Sequence, residues 1–347
     1  MTTAEPIRIA AQDGEARPVT PSSSGASTGA SSVGLVAVIL AATDGEPRAL
    51  TVPVPGQAKG RETGLPSGPL VSEHPTLERG LRAWVERQTQ QRLGYVEQLY
   101  TFGDRDRKAA GPGSDAVHLL SVAYLALTRE ARAVGETAPD LEPTWRNWYR
   151  FLPWEDFRDG RPPALAEIEP RLAAWIAQGS DAKLRRQRED RVGLNFAGTW
   201  NEERVLERYE LLFEAGLIPE AKGQAGAAIP ADHRVTGQPM ALDHRRVLAT
   251  AIGRLRGKIK YRPVVFELMP PAFTLLQLQR TVEALSGIRL HKQNFRRLVA
   301  QQGLVEETDG ITSGAAGRPA KLVRFRREVL LERPAPGVRL TRSRRSV

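Results

Sequence analysis

The sequence predicts an α+β protein whose last third is a winged helix-turn-helix. Two amphipathic helix patterns lie close together after residue 273, and two strand patterns joined by a glycine-rich turn follow them. The excess positive charge of the chain lies in the same region. Before residue 130, strand and helix patterns alternate in the order strand, strand, helix, strand, strand, which is typical of a mixed sandwich.

The positive charge is unevenly distributed along the 347 residues. Residues 241–347 contain 22 Lys and Arg against 8 Asp and Glu, a net of +14. The first 240 residues contain 28 and 32, a net of −4. This asymmetry indicates that one domain binds an anionic polymer. A solvated basic surface with a basic tail would explain it equally well.

Composition excludes several classes of site. The chain has no cysteine, so it has neither disulfides nor thiolate metal sites. Its five histidines are scattered without metal-ligand spacing. No run of 18 apolar residues predicts a transmembrane helix. We expect a cytoplasmic protein with no membrane partner.

Residues 1–32 are rich in Ser, Thr, Gly and Ala, and we expect a disordered leader there. The apolar patterns that follow predict strands at 33–40, 49–54, 95–102 and 117–127. Helical spacing predicts a helix from Thr76 to Leu93.

The middle of the chain is predicted to be mostly helical. The aromatic-dense run at 145–154 packs on the sheet or lines a pocket, and packing is favoured. Three helices are predicted at 164–177, 181–192 and 201–216, with a loop or linker at 223–237. A long helix at 243–260 has one apolar face. Its other faces are expected to carry Arg245, Arg246, Arg254, Arg256 and Lys258.

The helix-turn-helix begins at Thr274, a plausible N-cap, and its first helix runs to Gly287. A second helix starts near His291 and leaves a set of hydrogen-bond donors facing outward, of the types that pair with base edges in the major groove. The set consists of Lys292, Gln293, Asn294, Arg296 and Arg297. Arg318 and Lys321 flank the glycine-rich turn and are predicted to reach DNA from the wing. The alternative is a small helical domain with a basic surface and a capping hairpin.

Several strings in this chain resemble the Nudix-related transcriptional regulators of NAD metabolism. The strings are YVEQLYTFGD at 95–104, SVAYLAL at 121–127, ALDH at 241–244, FELMP at 266–270, NFRR at 294–297 and GRPA at 317–320. The resemblance covers roughly 33–154 and 240–327. The intervening helical stretch resembles an alphaproteobacterial-type variant often called an NAD regulator.

The resemblance implies a Nudix-fold α/β/α sandwich as a sensor at 33–160. A helical insert and linker at 161–238, a winged helix-turn-helix at 239–330 and a basic tail at 331–347 would follow. It also implies a homodimer that binds a double-stranded DNA operator and represses NAD biosynthesis or salvage genes. ADP-ribose or another NAD-derived nucleotide would be the effector, with no cofactor.

The Nudix hydrolase pattern is degenerate here. Its carboxylates hold Mg²⁺, a hard cation that polarises a pyrophosphate. With Gly68 on the first glycine of the pattern, His74 and Ala83 replace two glutamates, Arg82 and Glu86 are kept, and Arg87 replaces an acidic neighbour. We therefore expect neither a metal site nor catalytic residues. The alternative is an active Nudix nucleotide-diphosphate hydrolase with an accessory nucleic-acid-binding domain.

Five residues are expected to contact the nucleotide in the sensor. They are Arg79, Arg82, Glu86, Tyr100 and Phe102. An ordinary surface charge on a helix explains Arg79 equally well.

Overall fold

The computed structural model describes residues 31–55, 61–103, 118–130, 142–198, 200–221, 232–312, 319–332 and 337–338. The expected leader at 1–32 lies outside this part except for Ser31 and Ser32, which belong to the first strand rather than to a leader. Residues 104–117 and most of the predicted loop or linker at 223–237 also lie outside it.

The first half of the described chain forms one mixed sheet. Its strands are β1 (Ser31–Thr43), β2 (Glu46–Pro55), β3 (Arg61–Gly64), β4 (Ser67–Pro69), β5 (Tyr95–Phe102), β6 (His118–Leu127) and β7 (Thr144–Asn147). The order is β3-β2-β1-β6-β5, with β4 also paired to β1 and β7 to β2. β1 and β6 run parallel over ten residue pairs, and the other pairs are antiparallel. The four predicted strands are confirmed.

Both faces of β1 are buried, which explains its nearly continuous apolar sequence. Leu35, Ala37 and Ile39 point toward helix α1 (Leu77–Thr89). The alternate residues belong to a larger core on the opposite face. Helices α6 (His244–Ile259) and α7 (Leu275–Ser286) cover that second face, α6 against β1 and β5 and α7 against β1 and β2. The expected α/β/α sandwich is therefore present, and a helix near residue 250 completes it.

The insert is helical, as predicted. It contains α2 (Ala164–Ala177), α3 (Ala182–Val192) and α4 (Val205–Glu214), with a π-helical turn at Gly193–Ala197. A short helix, α5 (His233–Thr236), lies where only a loop was predicted, and Asp232 caps it by accepting a hydrogen bond from the backbone N–H of Arg234 at 2.8 Å.

The C-terminal part is a winged helix-turn-helix. It comprises α7, α8 (Lys292–Gln302), the ribbon of β8 (Val305–Ile311) and β9 (Lys321–Phe325), and α9 (Val329–Glu332). Thr274 and Gln277 form a capping box that fixes the start of α7. Phe273 bridges to Val323 and so attaches β9 to the chain entering α7. The predicted N-cap, both helices and the two strands are confirmed.

The interpretation of the long helix is partly wrong. Arg245 and Arg256 were expected on its outer faces, but they are 0% and 1% exposed. They are buried because α6 is enclosed by the sheet, the insert and α7, so a large part of its circumference faces protein. The domain boundary at 239 remains a prediction.

Candidate nucleic-acid interface and sensor site

Helix α8 presents a continuous surface of hydrogen-bond donors. Phe295 and Val299 are buried and anchor the helix against α7 and the ribbon. Five neighbours on the remaining faces are exposed, namely Lys292, Gln293, Asn294, Arg296 and Arg297. They form no side-chain ion pair with another residue of the described chain, so their donors are available to a ligand. The structure thus brings together the donors predicted on this helix.

The turn between α7 and α8 is held by a carboxylate that sequence reasoning missed. Glu283 is 5% exposed and accepts hydrogen bonds from the backbone N–H of Leu290 at 2.9 Å and from Gln279 at 2.9 Å. It also pairs with Arg289 at 3.3 Å. These bonds fix the angle at which α8 leaves α7. One sign of this role was present in the sequence, because Glu283 is an acidic residue within the apolar pattern of α7.

The wing carries fewer free cations than the sequence suggested. Lys321 pairs with Glu307 at 2.8 Å, and the hydrogen bond that its ammonium donates to that carboxylate raises the pKa of Lys321. Arg324 pairs in the same way with Glu306 at 2.6 Å. Arg318 lies outside the described residues. A phosphate that approaches Lys321 therefore competes with the carboxylate of Glu307 for its ammonium group.

The three residues of α1 that are expected to contact the nucleotide differ in the number of ion pairs and hydrogen bonds they form within the protein. Arg82 pairs with Glu78 at 2.8 Å and donates to the carbonyl oxygens of Leu93 and Gly94, so it ties the helix to the following turn. Glu86 is exposed and pairs with Arg92 at 3.2 Å. Arg79 is exposed and has no ion-pair partner in the described chain.

The two aromatic candidates lie on β5, at one edge of the sheet. Tyr100 is 61% exposed and Phe102 is 6% exposed, with ring centroids 5.3 Å apart in an edge-to-face arrangement. A register shift between Gln98 and Tyr100 marks a bulge in the pairing with β6. Only Tyr100 offers a ring face to a ligand in this conformation.

The donor set on α1 does not fit Mg²⁺. His74 uses Nδ1 to accept a hydrogen bond from the backbone N–H of Val71 at 3.4 Å. Glu86 is committed to Arg92, and Arg87 brings a positive charge to the same surface. Within the described ranges, no group of three His, Asp or Glu side chains is arranged to hold a metal ion. A hard cation needs several oxygen ligands. The positions of the Nudix pattern supply one carboxylate, Glu86, beside guanidinium groups.

A buried ion cluster connects the sensor, the insert and the helix-turn-helix. Glu155 is 0% exposed and binds Arg208 of α4 at 2.6 Å and Arg256 of α6 at 2.6 Å. Arg256 also donates to the carbonyl oxygen of Leu285 near the end of α7 at 3.0 Å. Tyr149 donates to the carbonyl oxygen of Ala284 at 2.8 Å, and burial raises its pKa.

A second contact joins the start of α6 to the sensor segment that precedes α1. His244 is 2% exposed and accepts a hydrogen bond at Nδ1 from the backbone N–H of Leu65 at 3.0 Å. The backbone N–H of Ala241 donates to the carbonyl oxygen of Thr63 at 2.8 Å. Between them Leu242 adopts a left-handed backbone with φ of 53°. We call residues 241–244 and 63–65 together the latch.

Comparison with known proteins assigns the C-terminal unit. Residues 265–325 match the family model of the NrtR DNA-binding winged helix domain. Residues 265–325 are therefore an NrtR-type winged helix domain. The chain is also 46% identical over 87 residues to the ADPR responsive transcriptional repressor NtrR of Acinetobacter baylyi. That match covers 25% of this chain and 34%, about a third, of the relative's length.

The fold extends this likeness to most of the molecule. The crystal structure of Shewanella oneidensis NrtR complexed with a 27mer DNA matches with a TM-score of 0.50 at 20% identity, covering 86% of this chain and 94% of that one. A second crystal structure of Shewanella oneidensis NrtR matches equally, with a TM-score of 0.50 at 20% identity. The chain therefore has the fold expected from its sequence, a Nudix-type sandwich joined to a winged helix. None of the helices in the described ranges is long and apolar enough to cross a membrane.

Proposed function

We propose that this protein is a ligand-responsive, sequence-specific DNA-binding transcriptional repressor of NAD biosynthesis or salvage genes. The observation that best supports this proposal is the set of exposed hydrogen-bond donors on α8, which form no ion pairs within the described chain. They lie in a winged helix of the NrtR type. Guanidinium and amide groups on an exposed helix are suited to base edges in the major groove. The similarity to an ADPR responsive repressor supports ADP-ribose, or another NAD-derived nucleotide, as the effector.

The sensor is proposed to bind its nucleotide without hydrolysing it, and we assign no catalytic residue and no cofactor. The support is the donor set of α1, in which Ala83 and Arg87 stand where a hydrolase has carboxylates. Purified protein with Mg²⁺ and ADP-ribose is expected to release no AMP above background. Turnover that Glu86→Gln abolishes would instead establish the alternative, an active hydrolase with an accessory nucleic-acid-binding domain.

The proposed partners are a double-stranded DNA operator and a second copy of this chain, in the cytoplasm. A homodimer would place two α8 helices about one turn of DNA apart, which suits a palindromic operator. Sedimentation of the full chain with and without operator would measure this state directly.

The DNA-binding assignment is tested by replacing Arg296 and Arg297 together with alanine. Each bidentate contact to a base contributes about 1–3 kcal/mol of discrimination, so affinity for the operator is expected to fall by at least tenfold in a gel-shift titration. Arg186→Gln is the matched control, because it removes a guanidinium from the exposed surface of the insert. Equal affinity of the double variant and the control protein would refute the role of α8.

A further inference from the structure

The surface of α1 holds a guanidinium where the Nudix pattern has a metal-binding carboxylate. Arg87 is exposed, and its Cζ lies 4.6 Å from the centroid of the Trp84 ring. The same indole lies against Gly68 of β4, where an added Cβ atom would stand 2.2 Å from a ring atom. The indole N–H donates to the carbonyl oxygen of Pro69 at 2.8 Å. Arg87 is thus oriented by a ring that the strand itself holds in place.

The direction of the Arg87 side chain matters for what it can bind. Helical side chains lean toward the N-terminus, so this guanidinium lies over the turn that contains Ala83 and Trp84. Ala83 is exposed and small, which leaves the space above it open. In a hydrolase this position and that of Arg87 would both be acidic.

The charges of α1 divide into paired and unpaired groups. Arg82 is paired with Glu78, and Glu86 with Arg92. Arg87 has no carboxylate partner in the described chain, and its recorded contact is the indole ring. An oriented, unpaired guanidinium is the group that suits a phosphate, because its planar donors match two phosphate oxygens at once.

We propose that this surface binds the diphosphate of a nucleotide without a divalent cation, and that Arg87 supplies the positive charge that Mg²⁺ supplies in a metal-dependent Nudix site. The inference rests on the proposed function, since it names how the sensor holds its effector. Stacking on Trp84 restricts the guanidinium before the ligand arrives, which reduces the ordering cost of binding. No bond is formed or broken in this step.

The test is calorimetric titration of the full chain with ADP-ribose, once in EDTA and once in Mg²⁺. The wild-type protein is expected to bind with the same affinity in both buffers. Arg87→Glu places a second carboxylate beside Glu86, so binding in EDTA is expected to weaken by roughly tenfold or more, with partial recovery in Mg²⁺. Arg87→Lys keeps the charge without the planar fork and is expected to lie between the two. Arg186→Gln on the insert is the control and should bind as the wild type does.

The outcomes separate this inference from the proposed function. Wild-type binding that requires Mg²⁺ overturns the inference and leaves the nucleotide sensor intact. Binding by Arg87→Glu in EDTA that equals wild type also overturns it. No binding of ADP-ribose in either buffer overturns both the inference and the choice of effector, whereas operator binding in a gel shift is measured independently. The comparison of wild-type protein in the two buffers decides the question even if a variant does not fold.

Discussion

The carboxylate of Glu155 lies between two arginines in the interior, and all three side chains are at most 1% exposed. Desolvating three charges is costly, and their attraction offsets the cost only while all partners are present. The guanidinium of Arg208 also lies 3.6 Å from the centroid of the Trp200 ring, which adds a favourable contact to the cluster.

Glu155→Gln is expected to lower the free energy of unfolding by about 3–5 kcal/mol, because it leaves two buried arginines without a countercharge. Denaturant titration at constant pH measures this. Glu214→Gln is the control, since it breaks an exposed pair with Arg191 and should cost about 0–1 kcal/mol. If both variants lowered the free energy of unfolding by a similar small amount, the buried cluster would contribute no more to stability than the exposed pair.

The burial of individual charged side chains could not be predicted from the sequence. Arg256 belongs to α6, whereas Glu155 and Arg208 are 101 and 48 positions earlier in the chain. The apolar stripe of α6 identified one buried face of the helix. The spacing of apolar residues does not show how many other elements pack around a helix. Buried arginines were therefore interpreted as solvent-facing.

The elements themselves were largely predictable. The period near 3.6 in α8 follows from its one buried face, which the folded helix retains. The alternation predicted for β5 is interrupted by the bulge between Gln98 and Tyr100, and the second half of α7 is buried on all sides. The short strands β3, β4 and β7 were missed, because segments of three or four residues are too short to establish a period. The outward residues of α8 were predicted for the same reason that the helix was.

The contribution of the wing to DNA binding depends on whether Lys321 is paired with Glu307. Lys321→Ala is expected to weaken binding to all sequences and to reduce the salt slope by about one. Glu307→Gln frees Lys321 and removes a carboxylate that repels phosphate, so it is expected to strengthen binding, most at low salt. Gel shifts over a salt series measure both effects. Weaker binding by Glu307→Gln would show that this ion pair orders the wing rather than occupying its lysine.

At the scale of the whole molecule, α6 connects the two sites. It begins at the latch, where His244 contacts Leu65 just after β3, and Arg256 near its other end donates to the carbonyl oxygen of Leu285 in the last turn of α7. A nucleotide that moves residues 63–65 therefore acts on the helix that carries the helix-turn-helix. A ligand shifts this equilibrium only if it binds the DNA-free and DNA-bound arrangements with different affinity.

Operator DNA is expected to weaken ADP-ribose binding by the same factor by which ADP-ribose weakens operator binding, typically about 5–150-fold. Calorimetric titration of ADP-ribose with and without operator measures the factor. His244→Ala breaks the latch and should bring the factor toward one while operator affinity without nucleotide is retained. Equal ligand affinity in both wild-type titrations would exclude this nucleotide as the effector, and a full coupling factor in His244→Ala would place the connection elsewhere.

The covering of the sheet by α6 has a consequence for synthesis of the chain. The face formed by Val36, Val38 and Leu40 belongs to a core that α6 completes, yet more than 100 residues separate the end of β6 at Leu127 from the start of α6 at His244. At about 5–20 residues per second, a ribosome takes on the order of ten seconds to make that interval. During this time the sheet has an apolar face open to solvent and to other nascent chains. The insert therefore delays completion of the core, and we expect the nascent chain to be most prone to aggregation before α6 emerges.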